Sequence, residues 1–450
     1  YMEERAHINV KNIISIIILL IVIIIGAVIY SKYNYNNFTK NVREEGKTAF
    51  SRDANVKYSD MKSYKIENKE YNDAMFCQNV SVKANTPYKI TCKVKTQDIE
   101  NEGNSYISGA QISIKGTTEC SKSVTATSDW TELTFMFNSK NRTNVDIGFR
   151  LGGYQERSKG TAWFSDFKME EGTLDTDKKW NVVCFMIQNI DVNVNLNGKS
   201  THVKLKMSDT DMSDIESTIN RIPNTISKMS NNNIQMDFDV IKITNPLTSI
   251  SYDEENEYYI DPKDVKDLIQ EYLDKKEYDY IYIATRLGKL NEDKNALVHD
   301  WIGLGGMDYY EVGFSNIRLP NNSNSYIYKY DERVNTFPEE VFIHEFLHTL
   351  ERNEKGYGNN KVANLHDYEK YNYKREDIIG LKKWYTAYMQ NSIKNSKGEK
   401  VGLSQEIYLE KPIHESNFKY SYELNELKEP KNFIEEMNCL IKRIKQLFQR

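Results

Sequence analysis

Apolar and polar positions change rhythm three times along this chain. Residues 13–30 are an almost unbroken apolar run, just long enough to cross a bilayer as a helix and longer than most signal-peptide cores. Arg5 and Lys11 precede the run, which favours the N-terminus inside and the bulk outside; Lys32, Lys40 and Arg43 follow it and weaken that bias. The pattern predicts a retained transmembrane signal-anchor, a cytoplasmic tail at 1–12 and a polar, aromatic linker at 31–47. From 48 to 172 the period is two. Alternating segments at 88–95, 109–114 and 131–137 are separated by turn-rich stretches with no strong helix between them, which predicts an all-β sandwich.

Beyond a polar hinge at 173–179 the grammar changes. Strand-like segments at 180–194, 234–244 and 278–285 alternate with helical ones at 209–229, interrupted by Pro223, and at 261–273. That order predicts a mixed, α+β domain over 180–450. Gly303-Leu-Gly-Gly306 and a strand-like stretch at 309–319 lead to another helix. Thr336 and Glu339 have capping-box spacing, Pro338 falls in the expected first turn and Gly356 is the expected stop. Near the end, Phe433, Met437, Leu440 and Ile444 recur at helical spacing, predicting an amphipathic tail that packs on this domain.

The helix after residue 338 carries the chemistry. His344-Glu-Phe-Leu-His348 places two imidazoles one turn apart on one face, so both reach one metal ion, with Glu345 beside them. In a chain with seven histidines such a motif arises by chance in roughly one sequence per hundred. Two neutral nitrogens plus a third ligand hold Zn²⁺ tetrahedrally and leave one position open, the signature of a catalytic rather than a structural zinc. Glu345 is then the general base. The third ligand is expected at His366, with Glu369 as the alternative and Asp367 or Glu351 behind them. Asp367 would otherwise orient a ligand. An oxyanion donor is sought in Tyr385, Tyr388 or His414, with Tyr385 taken as the candidate.

Charge and cysteine content add limits. A net charge of −5 with no long basic stretch gives no reason to expect nucleic acid. Five widely spaced cysteines, Cys77, Cys92, Cys120, Cys184 and Cys439, show no CxxC pairing; one disulfide among the first three and buried free thiols both remain open.

Two resemblances follow from particular residues. The segment Pro87-Tyr-Lys-Ile-Thr, the strand Ser128-Asp-Trp-Thr-Glu-Leu-Thr-Phe and the closing Gly160-Thr-Ala-Trp-Phe-Ser-Asp-Phe-Lys-Met-Glu resemble family 4/9-type carbohydrate-binding modules. That resemblance implies a jelly-roll sandwich, a structural Ca²⁺ and a carbohydrate ligand stacked on aromatic faces. Tyr106, Tyr154 and Trp163 are the candidates; Trp130 is also available, but Trp130 opens a strand and Trp163 lies in an alternating run, so for both the core reading is the stronger. The order of strands and helices before the HExxH helix is similar to the upper half of zincin metallopeptidases. This implies peptide-bond hydrolysis and an edge strand that pairs with an extended substrate, for which 309–319 is the candidate. The metzincin pattern HExxHxxGxxH is not kept, since Glu351 and Glu354 stand where its Gly and His would be.

Together these expectations describe a membrane-anchored, extracellular zinc metallopeptidase of zincin-like fold, carrying a carbohydrate-binding sandwich at 48–172. Its expected partners are a protein or glycoprotein substrate, a carbohydrate and the membrane. The rival is a surface carbohydrate-binding or adhesion protein whose zincin domain is inactive or structural.

Overall fold

The computed structural model describes residues 38–60, 62–196, 198–287, 297–298, 301–319, 337–374 and 378–424. The apolar run 13–30, Thr336, Cys439 and the tail at 433–448 lie outside them. Among the described residues no helix is long and apolar enough to cross a membrane.

The N-terminal domain is a two-sheet sandwich. Its strands are β1 (Thr39–Val42), β2 (Thr48–Asp53), β3 (Ser63–Asn72), β4 (Ala74–Ser81), β5 (Pro87–Asn101), β6 (Gly109–Ile114), β7 (Ala126–Asn138), β8 (Asn144–Gly152) and β9 (Ser158–Glu171). They form an antiparallel sheet β1-β4-β8-β6 facing a second one, β2-β3-β9-β5-β7. Period-two patterning explains the layering. Along β5, Tyr88, Ile90, Cys92 and Val94 enter the core between the sheets, where they join Phe76, Phe149 and Phe164. Strand β1 lies inside the stretch expected as linker. Its neighbour Phe38 packs 4.8 Å from Tyr64 and 4.9 Å from Phe149, so the sandwich begins before residue 48.

The second domain contains β10 (Lys179–Ile187), β11 (Asn189–Leu196), β12 (Lys199–Lys206), α1 (Asp209–Ile219), α2 (Ile222–Met229), β13 (Gln235–Ile243), β14 (Ser251–Asp253), β15 (Glu257–Tyr259), α3 (Pro262–Leu273), β16 (Tyr280–Arg286), β17 (Gly303–Tyr309), β18 (Val312–Leu319), α4 (Glu340–Gly356), α5 (Ile378–Met389) and β19 (Tyr422–Leu424). Its main sheet has the order β13-β10-β16-β18-β17. The first four strands are parallel and β17 is antiparallel. Both faces are covered. Trp180, Val182 and Cys184 pack towards α1, α2, α4 and α5, while Val183, Phe185 and Ile187 face α3 and the β11–β12 hairpin. Strands buried on two faces read as continuous apolar runs, as β10 and β16 do.

Several boundaries differ from the sequence expectation. The stretch 180–194 is two strands, since Gln188 turns the chain out of the main sheet into a separate hairpin. No Gly or Pro marks that break. Residues 209–229 form two helices, with Pro223 in the first turn of α2, where its missing N–H costs nothing. The stretch 309–319 is not an edge strand. The chain reverses at Tyr310–Glu311, and β18 is paired on both sides; the edge is the glycine-rich β17. Helix α4 starts after Glu339, whose side chain makes no cap and instead pairs with Arg221 at 3.0 Å. Finally, β19 pairs with Met169–Glu171 of β9, so the chain returns to the sandwich after completing the second domain. Cys77, Cys92, Cys120 and Cys184 are buried free thiols, which removes the disulfide option among the first three.

Candidate metal centre

Helix α4 is amphipathic in an unusual sense. Val341, Phe342, Phe346, Leu347 and Leu350 are buried against the main sheet, and His344 and His348 rise from the opposite edge. Two strand tyrosines hold it in place. Tyr282 donates to the Phe342 carbonyl at 2.8 Å and Tyr280 to the Glu345 carbonyl at 3.0 Å. Each carbonyl accepts through the second lone pair that the helix ladder leaves free.

His366 approaches from the loop after α4. Its Nε2 lies 3.0 Å from His348 Nε2, which lies 3.1 Å from His344 Nε2. Three ring nitrogens 2.0–2.1 Å from one tetrahedral zinc would sit about 3.3 Å apart, so this donor set fits the ion. Among the described residues these three histidines are the group of His, Cys, Asp and Glu side chains close enough to share a metal. Among the described residues of the sandwich no group of three or more such side chains converges.

The departure from the metzincin pattern has a structural counterpart. Instead of ending soon after His348, α4 runs on to Gly356 and uses Glu351 and Glu354 as ties. Glu351 lies 3.5 Å from His348 Nδ1, accepts from Lys355 Nζ at 2.5 Å and reaches the Leu365 amide at 3.4 Å. Burial pushes its carboxyl up, but the bonds and charges of His348 and Lys355 outweigh that and hold it low. Glu354 accepts from Asn359, from the Ser404 amide and from the Ser404 hydroxyl. Trp384 Nε1 donates to the Leu365 carbonyl at 2.9 Å and Tyr388 to the Ala363 carbonyl at 2.9 Å, so α5 fixes the same loop from below.

The other proposed ligands are elsewhere. Glu369 is exposed on the short 3-10 turn Asp367–Tyr371 and outside the histidine group. Asp367 pairs with Lys370 rather than orienting His366, whose amide is instead capped by Asn364 at 2.9 Å. Tyr385 is not placed as an oxyanion donor. It is 1% exposed, and its hydroxyl sits between His344 Nδ1 at 2.9 Å and Glu340 Oε1 at 2.5 Å. It is a positioning residue for His344. Tyr388 is used by Ala363, and His414 bonds Asp279 at 2.8 Å in the groove between domains.

Glu345 is 4% exposed and lies under the edge strand. A Cβ on Gly303 would come within 2.3 Å of its Oε1, and one on Gly305 within 2.8 Å of its Oε2. Only glycine allows a backbone this near the carboxylate. Burial pushes the Glu345 carboxyl up to about 8; the charge of Glu340 adds to this and a hydrogen bond from the Gly305 amide opposes it. The cleft over these groups has a volume of about 490 Å³ and is walled by Trp301, β17, the histidines, Arg352 and Asn364. Sequence reasoning missed the role of Gly303 and Gly305, although their cluster was visible. It also missed Arg352, whose spacing of four from His348 puts it on the ligand face.

The aromatic candidates of the sandwich separate. Trp163 is 6% exposed, donates to Asp53 at 2.9 Å and lies beneath Lys65, so its ring face is not open for stacking. Tyr106 is used at the domain junction, where it donates to the Asp308 carbonyl at 2.7 Å and stacks on Tyr309. Tyr154 is 37% exposed beside a groove of about 340 Å³ over the four-stranded sheet. The Asp73–Arg150 ion pair forms part of that groove's lining. Trp130 meets Tyr58 edge-on at 5.7 Å.

No family model matches this chain, and no curated protein matches it. Solved structures do. A family 61 carbohydrate-binding module in complex with β-1,4-galactotriose is similar at 12% identity and a TM-score of 0.22, over 30% of this chain and 88% of the module. The xylan-binding family 22 domain of Paenibacillus barcinonensis is similar at 13% identity and a TM-score of 0.20, over 30% and 88%. A family 6 module from Cellvibrio mixtus lichenase 5A, with cellotriose, is similar at 9% identity and a TM-score of 0.18, over 29% and 97%.

Proposed function

We propose that this chain is a zinc-dependent metallopeptidase of zincin-like design, anchored by residues 13–30 with its bulk outside the cell, whose sandwich binds glycan. The observation that carries the enzymatic reading is the convergence of His344, His348 and His366 next to the buried carboxylate of Glu345. A bound zinc supplies Lewis acidity towards a carbonyl and acidifies water at neutral pH. The chain's own groups do the rest. Glu345 takes the proton of the attacking water and returns it to the leaving nitrogen, so one carboxylate serves both halves of the reaction. Tyr385 keeps the Nδ1 proton of His344 engaged, which leaves Nε2 free to ligate. Strand β17 walls the cleft and is the edge along which an extended peptide would lie.

The glycan part rests on the groove beside Tyr154, where an exposed ring adjoins the charged pair of Asp73 and Arg150. Rings give stacking area and charged groups give directed hydrogen bonds, the two contacts that sugars use. The same groove supports the rival reading, a surface carbohydrate-binding protein with an inactive metal domain.

Metal content by mass spectrometry separates the two. Wild type should carry one zinc per chain, lost in His366→Ala and kept in Glu345→Gln and Glu369→Ala. Peptide hydrolysis should disappear in Glu345→Gln. A wild-type chain that takes up no zinc after reconstitution would rule out the enzyme and leave the binding protein. On a glycan array Tyr154→Ala should lose binding and Trp163→Phe should keep it; no binding by wild type would reduce the sandwich to a scaffold.

A further inference from the structure

The edge strand β17 is poorly equipped to hold its own position. Three of its first four residues are glycines, the pairing with β18 slips between Leu304 and Met307, and Gly306 has φ +81°. Glycine keeps the most backbone freedom of any residue, and a bulged edge strand has a ladder on one side only. Yet this strand lies against Glu345, where sub-ångström shifts matter.

Two side chains from outside the sheet meet on it. Arg352 lies one turn beyond His348 on α4. Its Nη1 donates to the Gly306 carbonyl at 2.5 Å and its Nη2 to Asp308 Oδ1 at 2.5 Å. The guanidinium fork thus grips backbone and side chain of the same strand, a geometry that a lysine does not reproduce. The second comes from the sandwich. Tyr106 donates its hydroxyl to the Asp308 carbonyl at 2.7 Å, stacks on Tyr309 at 5.7 Å and meets Tyr310 edge-on at 5.2 Å. Asp308 is therefore held at its carboxylate by the metal-binding helix and at its carbonyl by the sandwich. The junction around it is continuous: Asn138 of β7 bonds Tyr357 and Glu410, and β19 adds a strand to β9.

We propose that Arg352 and Tyr106 are positioning residues that fix the height of β17 over the metal-binding helix, so that the sandwich braces one wall of the cleft from behind rather than serving only as a tethered targeting module. The turnover consequence rests on the peptidase reading above; the strand-holding consequence does not. If β17 binds extended peptide, loosening it should raise KM for long peptides more than for short ones, while zinc content changes little.

The test is hydrogen exchange followed by mass spectrometry on the zinc-reconstituted full chain, with peptide kinetics alongside. Tyr106→Phe and Arg352→Lys should each speed exchange at 303–309 by about five- to tenfold, the effect of losing one anchoring bond. Exchange in β16 and in the sandwich strands should stay at wild-type rates. Lys122→Ala removes a different cross-domain contact, the exposed ion pair with Asp274, and should leave 303–309 unchanged. Wild-type exchange at 303–309 in both Tyr106→Phe and Arg352→Lys would overturn the proposal. So would an equal response to Lys122→Ala, which would mean general loosening of the junction. If wild type hydrolyses no peptide, the peptidase reading falls, and the exchange rates still decide the positioning role. If it does, a fall in kcat with unchanged KM in Tyr106→Phe would overturn the link to substrate binding.

Discussion

Replacing Tyr385 by Phe removes a single oxygen from behind the proposed metal site, and its effect can be worked out in advance. For His344 to ligate through Nε2, its proton must sit on Nδ1, and the Tyr385 hydroxyl 2.9 Å away is positioned to accept it. That hydroxyl in turn donates to Glu340 at 2.5 Å, so the imidazole feels a carboxylate through one relay. Hydrogen bonds to charged groups contribute roughly 1.5–3 kcal/mol, and losing such an outer partner typically costs 10–100-fold in metal affinity. Zinc affinity of Tyr385→Phe should therefore fall by a factor of about 10–100 in competition with a chromogenic chelator. The ring itself is retained, so the metal-free protein should lose only about 1 kcal/mol in urea. Tyr408→Phe is the matched control: its hydroxyl is equally buried but donates to the Met389 carbonyl at 2.6 Å. It should lose similar stability and keep its zinc affinity. A zinc affinity for Tyr385→Phe within twofold of wild type would refute the relay.

Other substitutions test the surroundings. Gly303→Ala brings a methyl within 2.3 Å of Glu345 Oε1, so it should cost about 1–3 kcal/mol in chemical denaturation and reduce any hydrolysis with it; a neutral result would mean that β17 can lift away freely. Glu311, at the junction, is pushed up to about 8 by burial and by the neighbouring carboxylates Glu119 and Asp308, against Lys140 and Arg142. Its folded form holds a proton that the unfolded chain releases above the ordinary carboxylate range, so it reduces stability as pH rises from about 4.5 to about 8. Glu311→Gln should gain stability at pH 8 and little at pH 4.5, and show a flatter pH profile in urea melts; an unchanged slope would contradict this. Cys77, Cys92, Cys120 and Cys184 should react with a thiol reagent only after unfolding, and mass mapping of rapid labelling in the native protein at any of them would show otherwise.

The sequence was most legible where periodicity and burial coincide. Strands such as β6 and helices such as α3 appear where their patterns place them, and Asp261 caps α3 with a complete capping box. The three histidines could be grouped because histidine is scarce here and His366 follows the motif closely. What stayed hidden depends on partners remote in sequence. The identity of the edge strand turns on whether 303–309 or 312–319 is outermost, and both are short segments beside a reversal without Gly or Pro at its turn. Trp163 and Tyr106 looked alike as candidate platforms. Asp53 takes one, 110 residues away, and Asp308 the other, 202 residues away. No local pattern reports such contacts. Tyr385 failed as an oxyanion donor for the same reason, since its hydroxyl was already committed to Glu340 and His344.

The histidine site shows why the helix need not stop after the motif. A glycine there would let the chain turn back at once to supply a third ligand. In this chain α4 instead continues two turns past His348, and the connection to His366 is long. A long loop pays more entropy to close, and it needs ties to bring a ligand back within a few tenths of an ångström. Glu351 and Glu354 are those ties: one touches His348 and the Leu365 amide, the other holds Asn359 and Ser404. Charges this deeply buried are costly unless fully bonded, so the two glutamates are worth burying only if the loop geometry they set is itself needed. Exchanging Glu354 for Gln should accordingly loosen the loop and weaken zinc binding without touching a ligand. If zinc affinity and loop exchange are both unchanged, the glutamates merely satisfy the helix end, and the position of His366 is set by α5 alone.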